Sequence, residues 1–278
     1  MPLFQTIGTK CVRLLGDQSR LTRMLRPAYA KCLEWVAGER GISWSINGQP
    51  FRIDPRFRWQ MDSHYDRDVA DYIAARIRPG QVVLDVGANM GVYALQFGSW
   101  VGNSGKVYAF EPNPGARQVL QRHVRMNRFQ DRIEIVPSAV SSCPGEAEFF
   151  ARDADGMSRL GSANPLLEKS GEIRPLRVSI TTLDEFCRER AVTPDWLLLD
   201  IEGFEIAALR GAREMICRHR ARMEILVELH PASWQDAGTS RRDAQAILEE
   251  LELCPFSMDG SPADLEQYGM VALRPASS

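Results

Sequence analysis

The sequence lacks paired cysteines, long apolar runs and a strong net charge, and each absence excludes a class of protein. No C-x-x-C pair occurs, which argues against a structural zinc site and fits the reduced thiols of a cytoplasmic protein. No run approaches the roughly 18 apolar residues of a membrane span, and Lys10 and Arg13 interrupt any signal-peptide core. The net charge of −2 gives no case for nucleic-acid binding, so we expect a cytoplasmic protein without a nucleic-acid partner. The six cysteines are scattered at Cys11, Cys32, Cys143, Cys187, Cys217 and Cys254.

Positive charge is nevertheless concentrated near the N-terminus. Residues 1–60 contain ten Lys and Arg against four Asp and Glu, which leaves a net charge of about −8 on the rest of the chain. Apolar residues at helical spacing over residues 1–40 predict one or two amphipathic helices, and Asn47-Gly48 between alternating apolar residues predicts a β-hairpin. The sequence therefore predicts an extension at residues 1–60 and a main domain at residues 61–278. The basic extension is either a solvated surface or a contact site for an anionic membrane, an acidic substrate or a second copy of the chain.

Strands alternate with helices through the main domain. A helix is predicted at about Asp66–Ile77, closed by Pro79-Gly80. The alternation after it predicts an α/β fold with a mostly parallel sheet and helices on both faces. An insertion at residues 141–183 breaks the rhythm, and we expect extra strands there with a mobile loop near residues 153–165. The predicted strands read VVLDV, KVYAFEP, RIEIVPSAV, DWLLLDIEG and MEILVELHP, followed by short strands near Phe256 and Val271, and further helices are predicted at residues 92–101, 115–126 and 242–251.

Polar residues or glycines follow almost every predicted strand. In an open parallel sheet, ligands bind beyond the carboxyl ends of the strands, so these residues are the candidates for a binding site. A purely structural sheet would not need them at every exit. Strand by strand, they are Asp85, Gly87, Asn89 and Gly91, then Glu111 and Pro112, then Ser138 and Ala139, then Asp200 and Glu202, then Glu228 and His230.

The first strand exit indicates a nucleotide-like ligand that carries no phosphate. Gly87 and Gly91 allow a tight turn that leaves free N–H groups at a helix start, and Glu111 stands near the offset of a ribose-binding carboxylate. The loop is not the G-x-G-x-x-G of a dinucleotide site, and the Asp85 carboxylate would repel a pyrophosphate. S-adenosylmethionine fits better, because it has an ammonium and a sulfonium but no phosphate. The plain alternative is a tight turn with a helix-capping Asp.

Five motifs between residues 65 and 235 occur in a specific order, and they read DVGANMG, AFEPNP, TTLDEF, LLLDIEGFE and VELH. This set resembles the FkbM family of S-adenosylmethionine-dependent methyltransferases. The resemblance implies a class I methyltransferase fold, which is Rossmann-like, and O-methylation, usually of a sugar, polyketide, peptide or other small-metabolite hydroxyl. We expect the acceptor here to be a small-molecule, natural-product, lipid-linked or sugar-linked hydroxyl. The resemblance also implies the cofactor contacts: Asp85, Gly87, Ala88, Asn89 and Gly91 at the methionine end, Glu111 and Pro112 at the ribose, and Ser138 and Ala139 at the adenine.

The fourth and fifth strand exits should face the methyl group. Alignment of the acceptor oxygen with the methyl carbon supplies much of the rate, and a base or a divalent metal supplies the rest. His230 is the preferred base because an imidazole titrates near neutral pH, and the alternative is a histidine that caps a strand before Pro231. Asp200 is expected to bind the cofactor ammonium, orient His230 or bind a metal. Glu202, Glu205 and Glu228 complete the candidate set, and the oxygen-rich group of Asp200, Glu202 and Glu228 would suit Mg²⁺, although no ligand spacing requires it.

Tyr65, His123 and His219 are interpreted from the residues beside them in the sequence. Tyr65 precedes the first helix of the main domain together with Asp66, where it either closes over the cofactor or packs the helix start on the sheet. His123 lies in a predicted helix and His219 in a basic RHR segment, so both are expected at the surface.

Three function classes fit these observations. The preferred one is O-methyl transfer. The second is N-methyl or aminopropyl transfer on the same fold, which only the product would distinguish, because a fold alone does not choose the chemistry. The third is a non-catalytic cofactor-binding module in a larger assembly, which is disfavoured because such a module needs no acidic set beside the methyl group.

Overall fold

A seven-stranded sheet forms the centre of the molecule. The computed structural model describes residues 31–151, 159–160 and 174–275 of the 278-residue chain, and elements are numbered in chain order. The strands of this sheet are β3 (Val82–Val86), β4 (Lys106–Phe110), β5 (Ile133–Val136), β10 (Trp196–Leu199), β11 (Glu224–Leu229), β12 (Leu253–Phe256) and β13 (Gly269–Pro275). Their order is β12-β13-β11-β10-β3-β4-β5, with β13 antiparallel to both its neighbours and all other pairs parallel. The predicted mostly parallel sheet is confirmed.

Helices cover both faces of this sheet. They are α1 (Arg67–Arg76), α2 (Val92–Trp100), α3 (Pro114–Met126), α4 (Leu183–Arg190), α5 (Glu205–Arg210), α6 (Arg213–His219), α7 (Pro231–Trp234) and α8 (Arg241–Leu251). Successive side chains of a strand point to opposite faces. Leu84 and Val86 accordingly join the apolar layer of α4 to α8, whereas Val83 joins the layer of α1, α2 and α3.

Capping residues fix several helix ends. The Asn113 side chain accepts a hydrogen bond from the Gly115 N–H, and Pro114 occupies the first helical position, where its missing N–H costs nothing. Ser240 and Asp243 form a reciprocal capping box at the start of α8. The four helices predicted with both ends, now α1, α2, α3 and α8, begin and end within one residue of their predicted limits.

The insertion forms a second sheet of four strands. These are β6 (Ser138–Val140), β7 (Gly145–Ala151), β8 (Arg159–Leu160) and β9 (Arg174–Thr181), in the order β6-β9-β7-β8. The extra strands were expected, but the prediction of one strand across residues 132–140 is wrong. Pro137 separates β5 of the main sheet from β6 of the second sheet, and a proline has no N–H to donate to a sheet partner.

The return from the insertion contains a helix that the sequence interpretation missed. Thr182 caps α4 by accepting a hydrogen bond from the Glu185 N–H, which is the pattern of a helix start. The alternating apolar residues of β9 masked this start. The polar loop predicted near residues 153–165 lies outside the described residues apart from β8.

The N-terminal hairpin packs on the helices that follow the first two strand exits. Its strands are β1 (Ile42–Ile46) and β2 (Gln49–Ile53), and Asn47 and Gly48 both adopt positive φ at its turn, as predicted. Apolar side chains of the hairpin share a core with Val92 and Leu95 of α2. Residues 31–37 are helical, and short 3-10 turns cover Gly38–Arg40 and Pro55–Phe57. The helices predicted before residue 31 lie outside the described residues, and no described helix is long and apolar enough to span a membrane.

Candidate active site

Asp85 is an uncompensated carboxyl group at the end of β3. Its side chain is 0% exposed, and neither carboxyl oxygen has a hydrogen-bond partner among the described residues. Burial, followed by the nearby charge of Glu111, raises the pKa of Asp85 to about 7. A buried carboxyl group without partners is costly, and native proteins keep such groups where a ligand, an ion or a water completes them.

The turn after β3 brings the backbone directly against the exit of β10. Gly87 has a φ of 91°, and a Cβ atom at this position would lie 1.8 Å from the Asp200 carbonyl oxygen. Only glycine fits there, because every other residue would carry that atom into the neighbouring backbone. The tight turn therefore holds the first and fourth strand exits together.

Glu111 is fixed by two backbone N–H groups. One carboxylate oxygen accepts from Asn89 N at 2.8 Å and the other from Asn113 N at 2.7 Å. Burial raises the pKa of Glu111 to about 7, against the opposing effects of these two hydrogen bonds and of Arg117. Glu111 thus reaches from the exit of β4 to the glycine turn after β3 and has little freedom to move.

A cleft of about 530 Å³, counted with its open mouth, lies beyond these strand ends. Phe149, Leu160 and Phe204 add an apolar wall that the sequence interpretation missed. The first two come from the inserted sheet, where only the apolar pattern of the strands was visible in the sequence. Eight of the predicted site residues line the cleft, namely Gly87, Asn89, Glu111, Pro112, Ser138, Ala139, Asp200 and Glu202.

Asp200 and Glu228 lie side by side at the exits of β10 and β11. Their carboxyl groups are hydrogen-bonded to each other, and burial together with the Glu228 charge raises the pKa of Asp200 well above its usual range. Tyr268 donates a hydrogen bond to Glu228, and burial and this hydrogen bond raise the pKa of its hydroxyl. Tyr268 is 67% exposed and its ring lies 5.3 Å from that of His230. No pattern in the sequence points to Tyr268, which stands just before the antiparallel strand β13.

His230 receives its orienting carboxylate from Glu205. The Nδ1 atom lies 2.9 Å from Glu205 Oε1, which also accepts from the Gly203 N–H at 2.8 Å. Glu205 is 0% exposed, and its second oxygen has no partner among the described residues. The sequence interpretation gave this role to Asp200, because the sequence could not show that the first turn of α5 brings Glu205 to His230.

The acidic neighbours of His230 determine its protonation state. Burial alone would lower the pKa of the imidazole, but the hydrogen bond and charge of Glu205, with the charges of Glu202 and Glu228, raise it to about 9. Glu202 Oε1 lies 4.0 Å from Nε2. His230 is therefore an imidazolium at neutral pH when no other charge is bound beside it.

The acidic set is a poor site for Mg²⁺. Asp200, Glu228 and His230 each offer one ligand atom, and these atoms lie within 4.8 Å of one another. Mg²⁺ prefers an octahedron of oxygen atoms, whereas one of the three ligand atoms here is an imidazole nitrogen. We therefore derive no step through a metal ion.

Tyr65 lies near this acidic set, and its ring packs edge-on against Tyr93 at 5.6 Å. Burial, followed by the charge of Asp200, raises the pKa of its hydroxyl. The expectation for His123 is wrong: this side chain is completely buried, because α3 turns it toward the hairpin rather than toward solvent. His219 is partly exposed beside Arg222, close to what was expected.

Comparisons with known proteins identify the family. The chain matches the family model described as Methyltransferase FkbM domain over residues 85–258. It is 29% identical over 85 residues to ribosomal protein L11 methyltransferase of Carboxydothermus hydrogenoformans, covering 30% of this chain and 27% of that protein. It is 24% identical over 276 residues to AMB antimetabolite synthetase AmbE of Pseudomonas aeruginosa, covering 86% of this chain and 12% of that protein. The crystal structure of methyltransferase FkbM from Methylobacillus flagellatus KT aligns with a TM-score of 0.46 and 17% identity, covering 71% of this chain and 44% of that chain.

The two curated relatives are much longer than the segment they share with this chain, which spans about a quarter of one and an eighth of the other. The family model, in contrast, covers more than half of the chain and includes all five strand exits. With the strand order, this match confirms the predicted class I methyltransferase fold. The chain belongs to the FkbM methyltransferase family.

Proposed function

We propose that this protein transfers a methyl group from S-adenosylmethionine to a hydroxyl of a small metabolite, a sugar or a natural product. The observation that carries the proposal is Asp85, a buried carboxyl group without partners behind a glycine turn and beside Glu111. A cationic cofactor compensates such a group, whereas a pyrophosphate would be repelled by it. Asn89 Oδ1 is also buried without a partner among the described residues. The Asp85 carboxyl group and the Asn89 side-chain oxygen could therefore both accept hydrogen bonds from a bound ligand.

The strand exits would divide the cofactor between them. The turn from Asp85 to Gly91, which includes Gly87, Ala88 and Asn89, would hold the methionine end. Glu111 has its orientation set by two backbone N–H groups, and with Pro112 it would hold the ribose hydroxyls. Ser138 and Ala139 would flank the adenine, with Tyr65 closing over the opposite side. When bound, the cofactor supplies an electrophilic methyl group.

His230 would take the proton of the acceptor hydroxyl through Nε2. Its Nδ1–H is held by Glu205, so the ring presents Nε2 in one fixed direction. An imidazolium cannot accept a proton, and the pKa of about 9 keeps His230 charged in the free protein. A sulfonium bound at the same exits would repel this charge and lower the pKa of His230. Cofactor binding would thereby prepare the base, and Asp200, Glu202 and Glu228 would surround the acceptor.

Turnover with the natural acceptor tests this assignment. Methyl-labelled cofactor is incubated with metabolite extracts, and the labelled product is identified by mass spectrometry. His230→Ala should lower turnover by roughly 10²–10⁴-fold, the usual contribution of a positioned base, while cofactor affinity is retained. Near-full activity in His230→Ala would show that alignment of the acceptor alone carries the reaction.

N-methyl transfer is the second candidate, and the acidic set favours it. Asp200, Glu202 and Glu228 would attract a protonated amine as well as surround a neutral hydroxyl. The labelled product distinguishes the two, because an O-methyl ether and an N-methyl amine fragment differently. A labelled N-methyl amine would reject the hydroxyl acceptor and keep the cofactor assignment. Aminopropyl transfer would give an acceptor product without the methyl label.

Three further expectations are tested in the same preparation. Because the acidic set is a poor site for Mg²⁺, activity should survive a chelator, and activity lost with a chelator and restored by Mg²⁺ alone would contradict this expectation. A homo-oligomer formed through the N-terminal extension would lose mass in light scattering when residues 1–30 are removed. A cytoplasmic location would place the activity in the soluble fraction of gently lysed cells, with none released from the periplasm or medium.

A further inference from the structure

His123 links the N-terminal hairpin to the glycine turn. Its Nδ1 atom lies 2.8 Å from the Met90 carbonyl oxygen, and its Nε2 atom lies 3.0 Å from Asp54 N. A carbonyl only accepts and a backbone N–H only donates, so Nδ1 carries the hydrogen and Nε2 is the acceptor. The completely buried ring is therefore neutral and in one tautomer.

The loop side of this link leads directly to Glu111. Met90 lies within the turn from Gly87 to Gly91, and the preceding Asn89 donates its N–H to Glu111 Oε2 at 2.8 Å. Asn89 adopts a positive φ of 46°, a conformation that few residues hold without support from their surroundings. A hydrogen bond that fixes the Met90 carbonyl therefore also fixes the N–H that orients Glu111.

The hairpin side of the link is equally rigid. The Asp54 carboxylate is 1% exposed, and it pairs with Arg56 at 2.7 Å and with Arg122 at 3.0 Å. Burial would raise the pKa of Asp54, but the hydrogen bonds from Arg56 and the charges of both arginines lower it below its ordinary value. Asp54 is thus a fixed, charged anchor at the end of β2.

The same helix fastens β2 a second time. Asn127, one turn after His123, accepts from Arg52 N at 2.8 Å and donates to Arg52 O at 2.7 Å. The Asn127 Nδ2 atom also donates to the His123 carbonyl oxygen at 2.8 Å within the helix, but none of its hydrogen bonds among the described residues reaches the glycine turn. Both side chains therefore hold the hairpin, but of the two only His123 also contacts the glycine turn.

We propose that His123 is a positioning residue through which the N-terminal hairpin sets the cofactor turn. The hairpin then belongs to the cofactor site without touching the cofactor. This inference rests on the proposed function, because the ligand of the turn is taken to be S-adenosylmethionine. We call the chain of contacts from Asp54 through His123 to Met90 the relay, and apart from the identity of the ligand the inference rests on these contacts alone.

Two near-isosteric substitutions and one control test the relay. His123→Gln places an amide oxygen near the position of Nε2 and keeps the hairpin bond, but loses the bond to Met90. His123→Asn places an amide nitrogen near Nδ1 and keeps the Met90 bond, but loses the hairpin. Asn127→Ala removes the second clamp and leaves the turn intact. Each variant is measured for thermal stability, for affinity toward S-adenosylhomocysteine by calorimetry, and for hydrogen exchange of the turn.

All three variants should lose stability, but affinity should separate them. His123→Gln should raise the dissociation constant for S-adenosylhomocysteine about tenfold, the effect of one lost buried hydrogen bond. His123→Asn should raise it less, and Asn127→Ala should leave it unchanged. Equal affinity in His123→Gln and Asn127→Ala, at matched loss of stability, would overturn the relay.

Hydrogen exchange separates this inference from the proposed function. The amides of Asn89 and Gly91 are hydrogen-bonded to Glu111 and to the Ala88 carbonyl, and they should exchange faster in His123→Gln than in Asn127→Ala. A wild-type protein that binds no S-adenosylhomocysteine would reject the proposed function, while faster exchange would still support the relay. Identical exchange in the two variants would reject the relay whatever the ligand.

Discussion

Glu205 determines what His230 can do chemically. The sequence suggested a neutral imidazole near its ordinary pKa, whereas the buried Glu205 carboxylate holds the ring as a cation with a pKa of about 9. Glu205→Gln keeps the shape and removes the charge. Because burial then dominates, the pKa of His230 should fall below 9 toward or below its ordinary value near 6.5. A pH titration of the His230 ring signals by NMR measures it.

Glu202→Gln is the matched control for this titration. The Glu202 Oε1 atom lies 4.0 Å from Nε2, compared with 2.9 Å between Glu205 Oε1 and Nδ1, so neutralising Glu202 should lower the pKa of His230 by less. A titration of His230 that is the same in wild type and Glu205→Gln would show that this dyad does not control its protonation.

His123 makes stability depend on pH at the acidic side of neutrality. Burial lowers the pKa of its imidazole in the folded protein from the ordinary value of 6.5, despite the favourable contact with the Met90 carbonyl. The unfolded chain therefore takes up a proton as the pH falls through about 6.5, and stability is lost from there down to the folded pKa. Denaturant unfolding at pH 5.5 and 7.5 should show a smaller difference in His123→Gln than in wild type. An unchanged difference would assign the pH effect to other groups.

The close approach of the β3 and β10 exits depends on a glycine, Gly87, which has no Cβ atom. A Cβ atom at Gly87 would lie 1.8 Å from the Asp200 carbonyl oxygen, so Gly87→Ala should either separate the two strand ends or prevent folding. A loss of about 3 kcal/mol or more is expected, as for other substitutions that force a backbone clash. Gly48→Ala is the control, because its φ of 81° is also positive but nothing lies within 4 Å of the added atom. It should cost only about 1–2 kcal/mol, and equal losses in the two variants would show that the clash is relieved.

Elements with a clear periodicity were predictable from the sequence, and contacts between elements were not. The β3 strand and the α2 and α3 helices follow from local apolar spacing and from caps such as Asn113. Pro137 was visible in the sequence. The sheet that each flanking strand joins, however, depends on long-range pairing, of β5 with β4 and of β6 with β9. The strand exits predicted eight residues that line the cleft, since parallel strands bring their carboxyl ends to one edge. Glu205 was in the candidate set, but its contact with His230 was not predicted, and Tyr268 and the burial of His123 were missed, because these contacts arise from tertiary packing.

At the scale of the whole molecule, the two sheets and the hairpin each contribute a different part of the cleft or its support. The main sheet supplies the polar strand exits, and the inserted sheet supplies the apolar wall of Phe149 and Leu160. The hairpin supports the glycine turn from behind through His123. Substitutions far from the cleft should therefore alter cofactor affinity when they lie on the path from the hairpin to the turn.

Calorimetry of the wild-type protein with S-adenosylmethionine, its demethylated product and NAD tests the central claim most directly. Under the proposed function, a positively charged cofactor free of phosphate compensates the buried, unpartnered Asp85 carboxyl group. S-adenosylmethionine and its product should bind in the micromolar range usual for working substrates, and Glu111→Ala should weaken binding by about 1–3 kcal/mol. NAD should not bind. Tight NAD binding without any S-adenosylmethionine binding would contradict the account.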